Sequence, residues 1–275
     1  MNIKSITKIL TDAGIEENEA KIEIKMLLEH FCHYTENDKL KGIKPRIEQL
    51  EILKEKAELR AKNRLPIQYI IGQAYFMGEF FKVTPDVLIP RDETEILVTK
   101  AISIIQENNY KDILDIGTGT GCIACTIAKN TDAVVLGVDI SSDALRVALD
   151  NVTELGINNH AVFRKSDLFS KIRDDEKFDL IISNPPYIPI GTELSPEVNN
   201  EPSIALFAEE NGLHFYKKIV QDAPKYLKPN GWLLFELGIN ESENVKAFMN
   251  EYFINVNIEK DLAGIDRIIY GQFKS

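Results

Sequence analysis

The run Ile113-Leu-Asp-Ile116 stops at three alternating glycines, Gly117, Gly119 and Gly121, and passes straight into the small-residue helical stretch Cys122–Lys129. An apolar strand this short is stable only between neighbouring strands, and a helix entered through a tight glycine turn must fold back over the sheet face. The pattern then recurs. Ala133–Asp139, Ala161–Lys165, Phe178–Ser183 and Trp232–Leu237 read as further strands, with helical patterns over Ala144–Leu155, Gly212–Tyr226 and Ser242–Tyr252. Ile254–Glu259 and Arg267–Gly271 lie too close in sequence for a parallel crossover, so they are expected as an antiparallel edge pair. The expected fold is α/β, a doubly wound, seven-stranded, mostly parallel sheet with helices on both faces.

The first part of the chain has a different texture. Apolar residues recur three and four apart in Ile6, Ile9, Leu10, in Ile22, Ile24, Leu27, Leu28, Phe31, and in Ile47, Leu50, Leu53, Ala57, which predicts helices. Gly14 ends the first, Tyr34–Lys44 is a polar connection, and Pro45 suits the first turn of the next. After Pro66 the residues become β-branched and aromatic, and Gln68–Gly72 with Tyr75–Val83 suggests a hairpin. Asp92-Glu-Thr-Glu95 places acids at the positive end of a helix running to about Asn108. The expected division is a small helical domain over 1–65, a β-hairpin linker over 66–90 and the α/β domain over 91–275.

Charge divides along the same line. Residues 1–65 carry 13 Lys and Arg against 12 Asp and Glu, whereas residues 66–275 carry 19 against 31. An acidic α/β part argues against a surface that wraps duplex nucleic acid. No apolar run reaches the roughly 18 residues of a membrane span, and Met1–Leu10 lacks the apolar core of a signal peptide, so a cytoplasmic location is expected. Cys122 and Cys125 form a lone C-x-x-C without a second pair, and Cys32 beside His30 and His33 has no further ligand close in sequence. All three are read as packing residues, and no metal is expected.

Three constellations carry chemistry. The first is Asp115-Ile-Gly117-Thr118-Gly119-Thr120-Gly121, whose glycines allow a ligand to approach the backbone. It departs from the dinucleotide fingerprint at Cys122 and from the phosphate-binding P-loop by lacking Gly-Lys-Ser/Thr. The second is acidic: Asp139, 18 residues beyond Gly121, can accept the two hydroxyls of a ribose, and Asp167, followed by Leu168, can accept an adenine amino hydrogen. These point to an adenosine-containing ligand without a pyrophosphate. The third is Asn184-Pro185-Pro186-Tyr187. Two prolines cannot continue a central strand, so the chain leaves the sheet there in a fixed direction. Asn184 offers a side-chain carbonyl, Pro185 a backbone carbonyl and Tyr187 an aromatic face, the parts needed to hold a planar group bearing an NH2. Ligands of open α/β sheets bind outside the carboxyl ends of the strands, where all three constellations lie.

A glycine turn, an acid after the second strand and Asn-Pro-Pro-Tyr after the fourth resemble the class I S-adenosylmethionine-dependent methyltransferases that alkylate planar nitrogens. Leu65-Pro-Ile-Gln-Tyr-Ile-Ile-Gly72, Val87-Leu-Ile-Pro-Arg-Asp-Glu-Thr-Glu95, Glu201-Pro202 with Gly212-Leu213, and Asp261-Leu-Ala-Gly264 with Asp266-Arg267 narrow the resemblance to the HemK/PrmC family of release factor glutamine methyltransferases. The resemblance spans essentially the whole chain. Asp92 stands where that family usually has Pro, and Ile265 interrupts its Gly-Arg-Asp-Arg run.

The resemblance implies a Rossmann-like sheet and S-adenosylmethionine as cofactor, with S-adenosylhomocysteine as product. It implies methylation of the glutamine of a Gly-Gly-Gln motif in peptide-chain release factors. Gly117, Thr118, Gly119, Thr120, Gly121, Asp139, Asp167, Leu168 and Asn184 would then bind the cofactor. Asn184, Pro185, Pro186 and Tyr187 would hold the substrate, with Asn184, Pro185 and Tyr187 catalytic and the N-terminal helices recognising the release factor. A monomer is expected, with neither nucleic acid nor membrane required. A ribosomal-protein glutamine and, more remotely, an amino group of DNA or rRNA are the alternative acceptors.

Overall fold

The computed structural model describes residues 2–274, which divide into two compact units. One runs to Gln73 and takes in the distant segment Leu194–Asn200; the other comprises Ala74–Glu193 and Glu201 onward.

In the first unit α1 (Ile3–Asp12), α2 (Glu17–Cys32) and α4 (Ile47–Asn63) bury Ile6, Leu10, Ile24, Leu27, Leu53 and Ala57 against one another. Ile22 and Ile47, expected on the same apolar faces, are exposed instead. Gly14, at φ +82°, ends α1 as the sequence suggested. The connection before α4 holds a short helix, α3 (Glu36–Leu40), because Thr35 and Asp38 cap it reciprocally. Pro45 falls just outside the helix, since α4 starts at Ile47 behind Arg46.

The hairpin is shorter than its sequence suggested. Ile67–Ile71 forms a helical turn, α5, ended by Gly72 at φ +81°. The hairpin itself is β1 (Gln73–Phe76) and β2 (Glu79–Lys82), turned by Met77 and Gly78, both at positive φ as a tight two-residue turn requires. Phe76 and Phe81 are buried in the core of the larger unit. A segment expected over 66–90 as a linker therefore contributes strands that pack as part of that unit.

The larger unit is built on one seven-stranded sheet. Its strands are β3 (Asp112–Ile116), β4 (Val134–Asp139), β5 (Ala161–Lys165), β6 (Phe178–Ser183), β9 (Leu227–Glu236), β10 (Phe253–Lys260) and β11 (Asp266–Phe273). Two short strands, β7 (Ile188–Pro189) and β8 (Phe207–Ala208), pair separately. The order across the sheet is β10-β11-β9-β6-β3-β4-β5, parallel from β9 to β5, with β11 antiparallel to both neighbours. Alternating side chains bury both faces. Ile113, Val135, Leu180 and Leu234 meet α6 (Thr94–Asn108), α7 (Cys122–Asn130) and α8 (Ser142–Glu154). Leu114, Val138, Ile181 and Phe235 meet α9 (His214–Tyr226) and α10 (Ser242–Asn250). The chain proceeds from β3 outward to β5 and then returns to β6 on the other side of β3, so the direction of winding switches between β3 and β6. Register brings Ile116 beside both Val138 and Ser183, aligning the strand ends that carry the three constellations.

A candidate active site at the carboxyl edge of the sheet

The glycine turn is held down from both sides. Gly117, Gly119 and Gly121 all have positive φ, the region glycine enters without a Cβ penalty. The N–H groups of Gly117 and Thr118 donate to the Val138 carbonyl at 2.8 and 3.0 Å, and the Gly119 N–H donates to Asp139 Oδ2 at 2.9 Å. Asp139 Oδ1 accepts from the Ser141 N–H at 2.8 Å. The Asp139 carboxylate is thus fixed by two backbone donors, and a carboxylate still has lone pairs for further donors. Burial pushes it above the ordinary aspartate range, against the pull of those backbone bonds.

Beneath the turn, Asp115 is fully buried. Its Oδ2 accepts from Thr118 Oγ1 at 2.6 Å, while Oδ1 has no partner among the described residues. Burial pushes its carboxyl up to about 7. Space is tight here as well: a Cβ on Gly137 would come within 2.6 Å of the Phe163 ring and 2.7 Å of Thr118 Oγ1.

At the end of β6, Ser183 Oγ donates to the Ile116 carbonyl at 2.7 Å, tying the two strand ends together. Gly117 lies close enough that its absent Cβ would sit 4.0 Å from the Asn184 carbonyl oxygen. Asn184 Nδ2 donates to Thr94 Oγ1 at 3.2 Å, and that hydroxyl donates to Glu236 Oε2 at 2.6 Å. Tyr187 donates its hydroxyl to Glu236 Oε1 at 3.2 Å. Glu236 is 1% exposed, and burial raises its carboxyl above the usual range.

A cavity of about 160 Å³ opens at this edge. Gly117, Gly119, Asp139, Asp167, Leu168, Asn184, Pro185 and Pro186 line it, together with Val87, Leu88, Ile140, Ile204, Ala205 and Phe215. Leu168 holds φ +45°, a left-handed conformation that is strained for a branched side chain. The carboxylate of Asp167 is exposed on the cavity rim.

Four residues expected at the site stand back from the cavity lining. Thr118 and Thr120 are buried, one bonded to Asp115 and the other accepting from the Cys122 N–H at 3.3 Å, and Gly121 packs against Phe163 and Ala148. Tyr187 turns its hydroxyl to Glu236. Cys122 and Cys125 are buried in α7, where burial pushes the Cys122 thiol up to about 12. Thr94 and Glu236 are not marked as site residues by the sequence, although Thr94, like Val87 and Leu88 of the apolar walls, lies in the Val87–Glu95 segment that carries the family resemblance; the wall residue Ile140 directly follows Asp139.

Two further ties hold the segments around the cavity. Glu201 accepts the Ile89 N–H at 3.0 Å and pairs with Arg91, fixing the stretch that carries Val87 and Leu88 to the one that carries Pro202. Tyr216 of α9 donates to the Glu236 carbonyl at 2.8 Å.

Residues 93–265 match the methyltransferase small domain. A protein of Fusobacterium nucleatum named release factor glutamine methyltransferase is 44% identical over 79% of this chain, which spans 62% of that protein. One of the same name from Thermodesulfovibrio yellowstonii is 37% identical over 92% of this chain and 93% of its own length. Among solved structures, the 16S rRNA methyltransferase of T. thermophilus in complex with AdoMet and guanosine superposes with a TM-score of 0.55. It is 17% identical over 74% of this chain and 50% of that one, a likeness of fold.

Proposed function

The chain belongs to the release factor glutamine methyltransferases, and from that membership we propose that it transfers a methyl group from S-adenosylmethionine to the side-chain amide nitrogen of a glutamine in the Gly-Gly-Gln motif of peptide-chain release factors. The observation that carries this reading is the setting of Asn184. Its NH2 is held by Thr94, and its carbonyl end has no side-chain partner among the described residues, in a residue that lines the same cavity as Asp139.

The residues present suit S-adenosylmethionine. Asp139 offers spare acceptor capacity for a ribose diol, Asp167 an exposed carboxylate for the adenine amino group, and Ile140 and Leu168 apolar walls for the ring. Asp139, fixed by the Gly119 and Ser141 N–H groups, and Asp167 are acids of the cavity lining and suit a cation. When bound, the cofactor supplies a methyl group activated on a sulfonium centre.

The chemical difficulty lies with the acceptor, because an amide nitrogen shares its lone pair with its carbonyl. Asn184 Oδ1 and the Pro185 carbonyl accept the two amide N–H bonds, orient the nitrogen and stabilise the positive charge that develops on it. The alkylated amide is acidic enough to release its proton without a strong base, so positioning is most of what the chain must supply. The Pro185-Pro186 pair keeps that backbone carbonyl rigid. Tyr187, which stands back from the cavity lining, braces the turn through its hydroxyl bond to Glu236. The helical unit supplies the docking surface for the release factor, since a flexible glutamine loop offers little area of its own. The enzyme acts as a cytoplasmic monomer, without nucleic acid.

The test is to incubate the pure protein with methyl-labelled S-adenosylmethionine and, separately, release factor, ribosomal subunits and duplex DNA, then locate the label by peptide mass. Label on the Gly-Gly-Gln glutamine is expected. Label confined to nucleic acid or to a ribosomal protein overturns the proposal.

A further inference from the structure

We propose that Thr94 and Glu236 are positioning residues that fix which end of the Asn184 amide faces the substrate; this rests on the reading of Asn184 as the acceptor for the glutamine NH2. The carbonyl and NH2 ends of an asparagine are nearly the same size, so hydrogen-bond partners alone decide its orientation. A threonine hydroxyl has one proton to give. In this site Glu236 Oε2 takes it at 2.6 Å, which leaves only lone pairs on Thr94 Oγ1 facing Asn184. Only the NH2 end of Asn184 can bind there, and it does so at 3.2 Å. The carbonyl end is thereby turned away from Thr94.

Without Glu236 the Thr94 proton could rotate toward Asn184 and be accepted by a flipped Oδ1. The asparagine NH2 would then meet the glutamine NH2, donor against donor. Thr94 is 3% exposed and Glu236 1%, so bulk water does not compete for either bond. The same carboxylate receives the Tyr187 hydroxyl on its other oxygen. One buried group therefore sets both ends of the Asn-Pro-Pro-Tyr turn, although it lies 142 residues from Thr94 and 49 from Tyr187 in the chain.

The experiment compares wild type with Thr94→Val, Thr94→Ser and Glu236→Gln. It measures kcat and KM on intact release factor, the dissociation constant for S-adenosylmethionine by calorimetry, and the melting temperature. Thr94→Val keeps shape and loses the hydroxyl; its kcat is expected to fall about tenfold or more, with cofactor affinity and KM within about threefold. Thr94→Ser, which restores the hydroxyl, is expected to return kcat to within about threefold of wild type. Glu236→Gln, which can present either end to Thr94, should be slowed to an intermediate degree.

Thr94→Val with wild-type kcat overturns the proposal. So does a loss of kcat that Thr94→Ser fails to rescue. If Thr94→Val is too unstable to assay, a near-normal Thr94→Ser with a slowed Glu236→Gln supports the relay, and the two together at wild-type rate overturn it. Failure of the wild-type protein to label the glutamine is a separate result, which removes the reading of the substrate.

Discussion

Arg60 and Glu197, 137 residues apart, meet at 2.9 Å through Nη1 and Oε1. The same guanidinium reaches Glu23 through Nε and Nη2 at 2.9 to 3.0 Å. Arg60 is 1% exposed and Glu23 4%, so this is an ion cluster inside the helical unit. Burial pushes Glu23 above the usual carboxylate range, with Arg60 opposing the shift.

Removing the arginine alone would strand Glu23 as a buried acid without a partner. Arg60→Leu is therefore expected to destabilise the unit by about 3–5 kcal/mol, the usual consequence of breaking one side of a buried pair. Calorimetric unfolding measures it, and a change below about 1 kcal/mol would show that the cluster contributes nothing net.

Asp139 is expected to govern cofactor affinity. Losing charge-assisted bonds to a diol costs about 1.5–3 kcal/mol, so Asp139→Ala should weaken S-adenosylmethionine binding about ten- to a hundredfold. Titration calorimetry reads this directly. Unchanged affinity would remove Asp139 from the cofactor site.

On the proposed role of Asn184 as acceptor for the glutamine NH2, Asn184→Ala should abolish methyl transfer while leaving cofactor affinity within about threefold. A collapse of cofactor binding in this variant would instead place Asn184 among the cofactor's contacts.

The positions of these residues were readable because glycine and proline punctuate strand ends. Gly117 to Gly121 marks where β3 stops, and Pro185 with Pro186 marks where β6 stops; the alternation of elements then aligns those ends on one edge. Thr94 and Glu236 carried no such mark. One is an ordinary threonine at a helix start and the other closes an apolar strand, and only the packing of α6 against β9 brings them together. Ile67–Ile71 misled in the other direction. Its β-branched residues favour a strand, yet Gly72 provides the left-handed cap of a helical turn and the segment packs as one. The capture of Leu194–Asn200 by the helices depends on tertiary ion pairing, which leaves no local pattern.

Asp115 sets a pH dependence of stability. Its pKa is raised from an ordinary value near 4 to about 7 in the folded protein. Between those values the unfolded chain has released the proton and the folded protein still holds it, so stability falls as pH rises through that window and levels off above it. Asp115→Asn removes this effect. The stability of the variant relative to wild type should increase between pH 5 and pH 8 by on the order of 2–3 kcal/mol, at 1.36 kcal/mol per pKa unit. Melting curves at the two pH values decide it, and a constant gap rejects the assignment.

Because Leu194–Asn200 belongs to the helical unit, the chain passes between the two units three times. The helices are consequently not an interchangeable cassette. A single cut near Gln73 leaves Glu197 still paired with Arg60 and Arg64, so limited proteolysis there would nick the protein without releasing a fragment. Recombination that exchanges only the first 73 residues would set the incoming helices against the resident Leu194–Asn200 segment, whose Glu197 is matched to Arg60 and Arg64. The two stretches must change together, and an exchange of these helices between relatives has to carry the Leu194–Asn200 segment with it.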